Sequence, residues 1–155
     1  MIQVLASKDH ILIARLNEEI QMLHHSLYPD IFKPFHQRQM EKAFEKMLAQ
    51  ENAFAYIATY EDQPAAYILT FVVGRKESVF MKAFRSLYID QLLVLEAFRK
   101  KGIGSALMQQ AKLVAREKGL DTIQLDHWSA NEGARHFFLQ QGFSYYNERM
   151  FLPIN

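Results

Sequence analysis

The sequence predicts a mixed α/β fold, in which helices with one apolar stripe cover a central sheet. Three observations carry that reading. Apolar residues recur at spacings of three and four in four separate stretches, β-branched and aromatic residues fill the stretches between, and glycines stand where one pattern gives way to the other. With 155 residues, 50% of them hydrophobic, the chain suits one compact domain over residues 1–155 with a substantial core.

Residues 2–6 open the chain as a short strand. Ser7 or Asp9 can cap the helix that follows, whose apolar positions Leu12, Leu16, Ile20, Leu23 and Leu27 keep helical spacing until Pro29. Pro34, a good first-turn residue, begins a second helix with Met40, Ala43, Phe44, Met47 and Leu48 on one stripe to about Gln50. From Phe54 the texture becomes β-branched and aromatic, and residues 54–60 and 65–73 flank the turn at Glu61, Asp62, Gln63 and Pro64 as an antiparallel hairpin. Residues 74–86 carry charges around Val79, Phe80 and Met81 and are compatible with a loop. Residues 88–95 form an apolar run broken by Asp90 and Gln91, as in a central strand covered on both faces. Ile103, Ala106, Leu107, Ala111, Val114 and Ala115 predict a helix over residues 104–118, closed by Gly119. Residues 122–128 form another strand. Asn131 caps a last helix in which Ala134, Phe137, Phe138 and Gln141 share a face, Gly142 closes it, and a final strand runs from about 144 to 152.

The net charge is +1 with both signs spread along the chain, so no basic face for nucleic acid is declared. Cysteine is absent, which excludes disulfides, thiolate metal sites and a cysteine nucleophile. The N-terminal residues lack the features of a signal peptide, and no run of about 18 apolar residues exists, so no membrane partner and a cytoplasmic setting are expected.

The stretch RKKGIGSALM, from Arg99 to Met108, gathers three cations and two glycines in front of a helix. Helix-start N–H groups, a dipole and mobile backbone together suit a phosphate. A Walker loop requires the lysine after the glycines, and here Lys100 and Lys101 precede Gly102. A dinucleotide turn requires a third glycine where Leu107 stands. The residues Arg99, Gly102 and Gly104 instead match Arg/Gln-x-x-Gly-x-Gly/Ala, and Asn131, Ala134, Phe137, Phe138, Gly142 and Phe143 match Asn-x-x-Ala-x-x-Phe-Tyr-x-x-x-Gly-Phe except for the tyrosine. With both in register, the chain from about Tyr88 to Phe143 resembles the GNAT superfamily of acetyl-CoA-dependent N-acetyltransferases; before Tyr88 the resemblance is one of element order.

That resemblance implies a mostly antiparallel mixed sheet of six to seven strands with about four helices, and acetyl-CoA as co-substrate without a metal. It implies that backbone amides of Lys100, Lys101, Gly102, Ile103, Gly104 and Ser105 wrap the pyrophosphate, with Arg99 beside them, and that a carboxylate placed at Gly104 crowds the anion. The backbone of Leu92, Leu93 and Val94 runs beside the pantetheine arm. Asn131 contacts the cofactor, a role compatible with capping its helix, and Phe138 takes the place of the family's tyrosine acid. The acceptor is a primary amine of a small molecule or peptide that attacks the thioester directly in a ternary complex, and a homodimer is compatible with the family.

An amine with a pKa near 10.4 is neutral in about one molecule in a few thousand at pH 7, so a base assists the attack. The resemblance implies two candidate bases: Asp126, five residues before Asn131, where some members carry a glutamate base, and Asp90, near the splayed centre of the sheet, where others carry an acid. With phenylalanine at 138, the leaving thiolate is protonated by water or by another group such as Tyr145 or Tyr146. The same substitution motivates an alternative, an acyl-CoA-binding sensor or interaction module with little turnover. His24 and His25 diverge by about 100° on a helix and cannot share a metal as residues four apart can, so surface roles are expected ahead of cleft roles. The aromatics Tyr28, Phe32, Phe35, Tyr56, Tyr67 and Phe71 are expected mainly in the core, some at the acceptor cleft.

Overall fold

The computed structural model describes all 155 residues, Met1–Asn155. Five strands and four α-helices follow one another as β1 (Ile2–Ala6), α1 (His10–Leu27), α2 (Gln37–Leu48), β2 (Ala53–Tyr60), β3 (Gln63–Arg75), β4 (Phe84–Val94), α3 (Ile103–Glu117), β5 (Ile123–Leu125) and α4 (Glu132–Gln140). The sheet order is β1-β2-β3-β4-β5, antiparallel up to β4 and parallel between β4 and β5.

Local chemistry sets the boundaries. The Asp9 side chain accepts the Leu12 N–H at 2.9 Å and starts α1. The His36 imidazole accepts from Gln39 N, so α2 begins at Gln37, later than Pro34. Glu61 and Asp62 both hold positive φ, a two-residue turn whose twist suits a hairpin and lets β3 start at Gln63. Of residues 74–86, the strands take both ends, leaving residues 76–83 as the connecting loop.

Alternation along β3 divides the core. Ala66 and Ile68 point to one face, where Ile103, Leu107, Met108 and Val114 of α3 meet them; Tyr67 and Leu69 point to the other, against Ile13 and Leu16 of α1 and Phe44 and Leu48 of α2. Burial of these side chains holds the helix layers to the sheet.

Two expectations need correction. The strand at 144–152 does not form, so the sheet has five strands where six to seven were expected. Strand 122–128 contracts to β5, Ile123–Leu125. The two are linked: a strand is completed by a neighbour's ladder, and three residues of β5 offer little edge. Phe151 and Leu152, 83% and 84% exposed, have strand-forming character and nothing to pair with.

Candidate active site

β3 and β4 fall out of step in mid-sheet: Leu69 pairs with Gln91 and Thr70 with Ile89, leaving Asp90 as the extra residue of a β-bulge. The bulge breaks strand alternation, and neighbours Asp90 and Gln91 line the same cleft, of about 210 Å³. The β4–β5 ladder stops at Ile89 and Leu125, while β4 continues to Val94, so beyond the bulge β4 has no partner on its β5 side. Asn17 and His24 of α1 form one wall; Asn131 and Phe138 of α4 form the other, and Leu92 and Leu93 lie between.

Two hydrogen-bonded sets include polar groups of the cleft. In the first, Tyr67 Oη donates to Gln91 Oε1 at 2.5 Å, and Asn17 Nδ2 donates to Tyr67 Oη at 3.0 Å and to Gln91 Oε1 at 3.3 Å. Burial pushes the Tyr67 phenol pKa upward, so it stays a donor. Desolvation raises the pKa of Asp90 above the usual carboxylate value, while the Gln91 side chain opposes the shift by hydrogen bonding to it. In the second set, Tyr88 Oη donates to Asp126 Oδ2 at 2.8 Å, and burial followed by that carboxylate raises the Tyr88 pKa. Asp90 follows Ile89 on β4 and Asp126 follows Leu125, the last residue of β5, so both carboxylates stand just past the final β4–β5 pair.

A roof crosses the cleft. Tyr28 and Phe32, on the chain leaving α1, pack on Trp128 with ring centroids 5.1 and 4.8 Å apart, and Tyr28 Oη accepts the Ala130 N–H at 2.9 Å. His24 stacks on Phe32 at 4.7 Å, and desolvation lowers its pKa. His24 thus belongs to the cleft, against the surface role expected for it; His25 Nδ1 meets the Phe32 carbonyl at 2.7 Å.

At the end of β4 the chain makes a short turn and enters α3. Lys100 has φ 60° and Gly102 φ 82°, left-handed conformations that curl the backbone into a concave run of amides. From Lys100 to Ser105 no backbone N–H donates to a protein acceptor; the first bond of α3 is Ala106 N to Gly102 O at 3.0 Å. Two of the three basic side chains are engaged elsewhere: Arg99 Nε donates to the Val94 carbonyl at 3.2 Å, and Lys101 Nζ sits over the Tyr60 ring at 5.0 Å. Ser105 Oγ accepts from Gln141 at 3.0 Å. A Cβ on Gly104 would lie 2.9 Å from the Phe137 ring and 3.7 Å from Val94, so a side chain there meets α4.

The sheet, the bulge and the glycine turn agree with the comparison to protein families, in which the model of the acetyltransferase (GNAT) family matches residues 20–143. The chain belongs to the GNAT family of acetyltransferases. A relative from Lactobacillus delbrueckii subsp. lactis, described as an uncharacterised N-acetyltransferase in the pepI 3′ region, is 24% identical over 106 residues. That alignment covers 68% of this chain and 60% of the relative's length. Among solved structures, a tetramutant of the BH1408 protein from Bacillus halodurans superposes with a TM-score of 0.90 at 24% identity, covering 99% of each chain. A predicted acetyltransferase with acetyl-CoA from Clostridium acetobutylicum reaches 0.72 at 17% identity, covering 99% of this chain and 96% of that one. At these identities the likeness is one of fold.

Within this GNAT chain, Asn131 caps α4 by accepting the Ala134 N–H at 3.1 Å while also lining the cleft, and Phe138 lines it without a hydroxyl. Tyr145 and Tyr146 stay outside the cleft lining: Tyr145 Oη meets His127 Nε2 at 2.7 Å, and Tyr146 Oη accepts from Gln124 at 2.9 Å. Asn17, Gln91 and Tyr88 carry polar contacts that sequence reasoning missed. For Asn17 a signal existed, a polar residue on the helical face of Ile13, Leu16 and Ile20.

Proposed function

We propose that the protein is an acetyl-CoA-dependent N-acetyltransferase that acts on a primary amine by direct attack in a ternary complex. The observation that carries this reading is the run of six partnerless amides at residues 100–105, beside the free edge of β4. A pyrophosphate supplies the acceptors those amides lack, and the helix dipole of α3 adds to its attraction. Bound acetyl-CoA supplies an activated acetyl group as a thioester, and the unpaired edge of β4 at Leu92, Leu93 and Val94 supports the reading that an extended arm adds to the strand there.

Asp90 is the base of this reading. Its raised pKa moves it towards the working pH, where general-base help is strongest, and its place on the bulge lets it take a proton from an amine in the cleft. The amine nitrogen forms a bond to the acetyl carbon, the C–S bond breaks, Asp90 carries the proton and the thiolate takes one from water. A thiol with a pKa near 8.5 is a good leaving group, so the absent hydroxyl at Phe138 costs rate without blocking the reaction.

The test measures acetyl-CoA affinity by calorimetry together with release of free CoA thiol across a panel of amines. Binding with amine-dependent thiol release supports the transferase. Phe138 favours a second reading, a cofactor-binding sensor, which predicts binding with no amine-dependent thiol. Absence of binding refutes both.

A further inference from the structure

From the chemistry of the cleft we infer that the acceptor is a diamine or polyamine, with Asp126 holding a second, protonated amine while the first reacts beside Asp90. The inference rests on the transferase reading and names its substrate class. Asp90 and Asp126 are the only acidic side chains lining the cleft, and no lysine or arginine lines it. Desolvation holds His24 toward its neutral form, and His127 is turned to Tyr145. Two carboxylates with no lysine or arginine beside them draw cations in.

An independent observation agrees in sign. The only buried side-chain polar atom without a partner is Asn17 Oδ1, on a residue 3% exposed that lines this cleft. It is an acceptor lacking a donor. The unsatisfied atom is an acceptor, as the two carboxylates are, and an alkyl polyamine brings N–H donors.

The two carboxylates are fitted for different tasks. Asp90 sits on the bulge beside Gln91, whose carbonyl is held by Tyr67 and Asn17. Asp126 is fixed by the Tyr88 phenol at 2.8 Å, with both groups at the splay of β4 and β5. Phe32 and Trp128, edge to face at 4.8 Å, offer aromatic surface to the alkyl chain and its cation. An α-amino acid fits this arrangement poorly, because its carboxylate enters a cleft that already holds two.

Cadaverine and pentylamine differ only in the second amine, which makes them the probes. In wild-type protein, kcat/KM from thiol release is expected to be at least about tenfold higher for cadaverine, and calorimetry to show a similar preference that shrinks as salt rises. In Asp126→Asn the ratio between the two amines is expected to fall to near one. Equal kcat/KM and equal affinity for both amines in wild type overturn the inference without touching the transferase reading, as does an unchanged ratio in the variant. If no thiol is released but cadaverine still binds about tenfold more tightly, the diamine site stands and the transferase reading fails. Binding of neither amine, without turnover, overturns the inference.

Discussion

At the scale of single residues, Asp90 ties function to stability. Its carboxyl is raised in the folded state, so between the ordinary carboxylate pKa and the raised one the native protein holds more proton than the unfolded chain. Stability contributed at this position is therefore lost as pH rises through that window, and the charged form is a burden at neutral pH. Asp90→Asn is expected to raise the thermal midpoint at pH 7 while leaving it close to wild type at pH 3, where the carboxyl is protonated in both states. The same variant should lose about 10²- to 10⁴-fold in kcat, the usual worth of a general base. Melting curves at the two pH values and thiol-release kinetics measure both; a lower midpoint at pH 7 contradicts the desolvation argument. Phe138 raises the complementary case. Phe138→Tyr restores a hydroxyl to the cleft wall, and an increase of up to about 10²-fold in kcat with unchanged cofactor affinity is expected if thiolate protonation limits the rate.

At the scale of elements, what was legible in the sequence is what is encoded locally. The four helices could be read because their stripes and caps lie within a few residues of each other: Asp9 and Asn131 cap as their positions suggest, and Gly119 and Gly142 close helices with φ of 66° and 96°. The amide run was legible for the same reason. Strand lengths depend on partners far away in sequence, which is why residues 144–152 carry strand character without a strand and why β5 keeps three residues. The hydrogen bonds of Asn17 were hidden likewise, since Tyr67 and Gln91 are 50 and 74 residues distant. Gly104 shows how a motif position can act through packing. Gly104→Ala drives a methyl into Phe137, whose ring atoms would lie 2.9 and 3.0 Å away, and overpacking of that kind costs about 1–3 kcal/mol. Urea denaturation should show this loss, and Phe137→Leu in the same chain should recover part of it.

At the scale of the whole molecule, the helices form two layers on opposite faces of the sheet, each with its own core, and the cleft lies where β4 and β5 part between them. Few contacts span that gap. Trp128 packs on Tyr28 and Phe32, and the Tyr28 hydroxyl takes the Ala130 N–H, joining the chain after α1 to the loop before α4 across 102 residues of sequence. Aromatic pairs are worth about 0.5–1.5 kcal/mol each, so Trp128→Ala, which removes two, is expected to cost about 1–3 kcal/mol. The pattern of the loss is more telling than its size. Hydrogen exchange should quicken together in residues 28–36 and 127–131, because each loop is held by the other, while the paired interiors of β2 and β3 keep their protection. Because the roof faces the cleft and the amides of residues 100–105 lie at the start of α3, the acceptor KM should rise while acetyl-CoA affinity stays within about twofold. Quickened exchange in only one of the two loops would mean that each is anchored to its own layer, and that the cleft has no common roof.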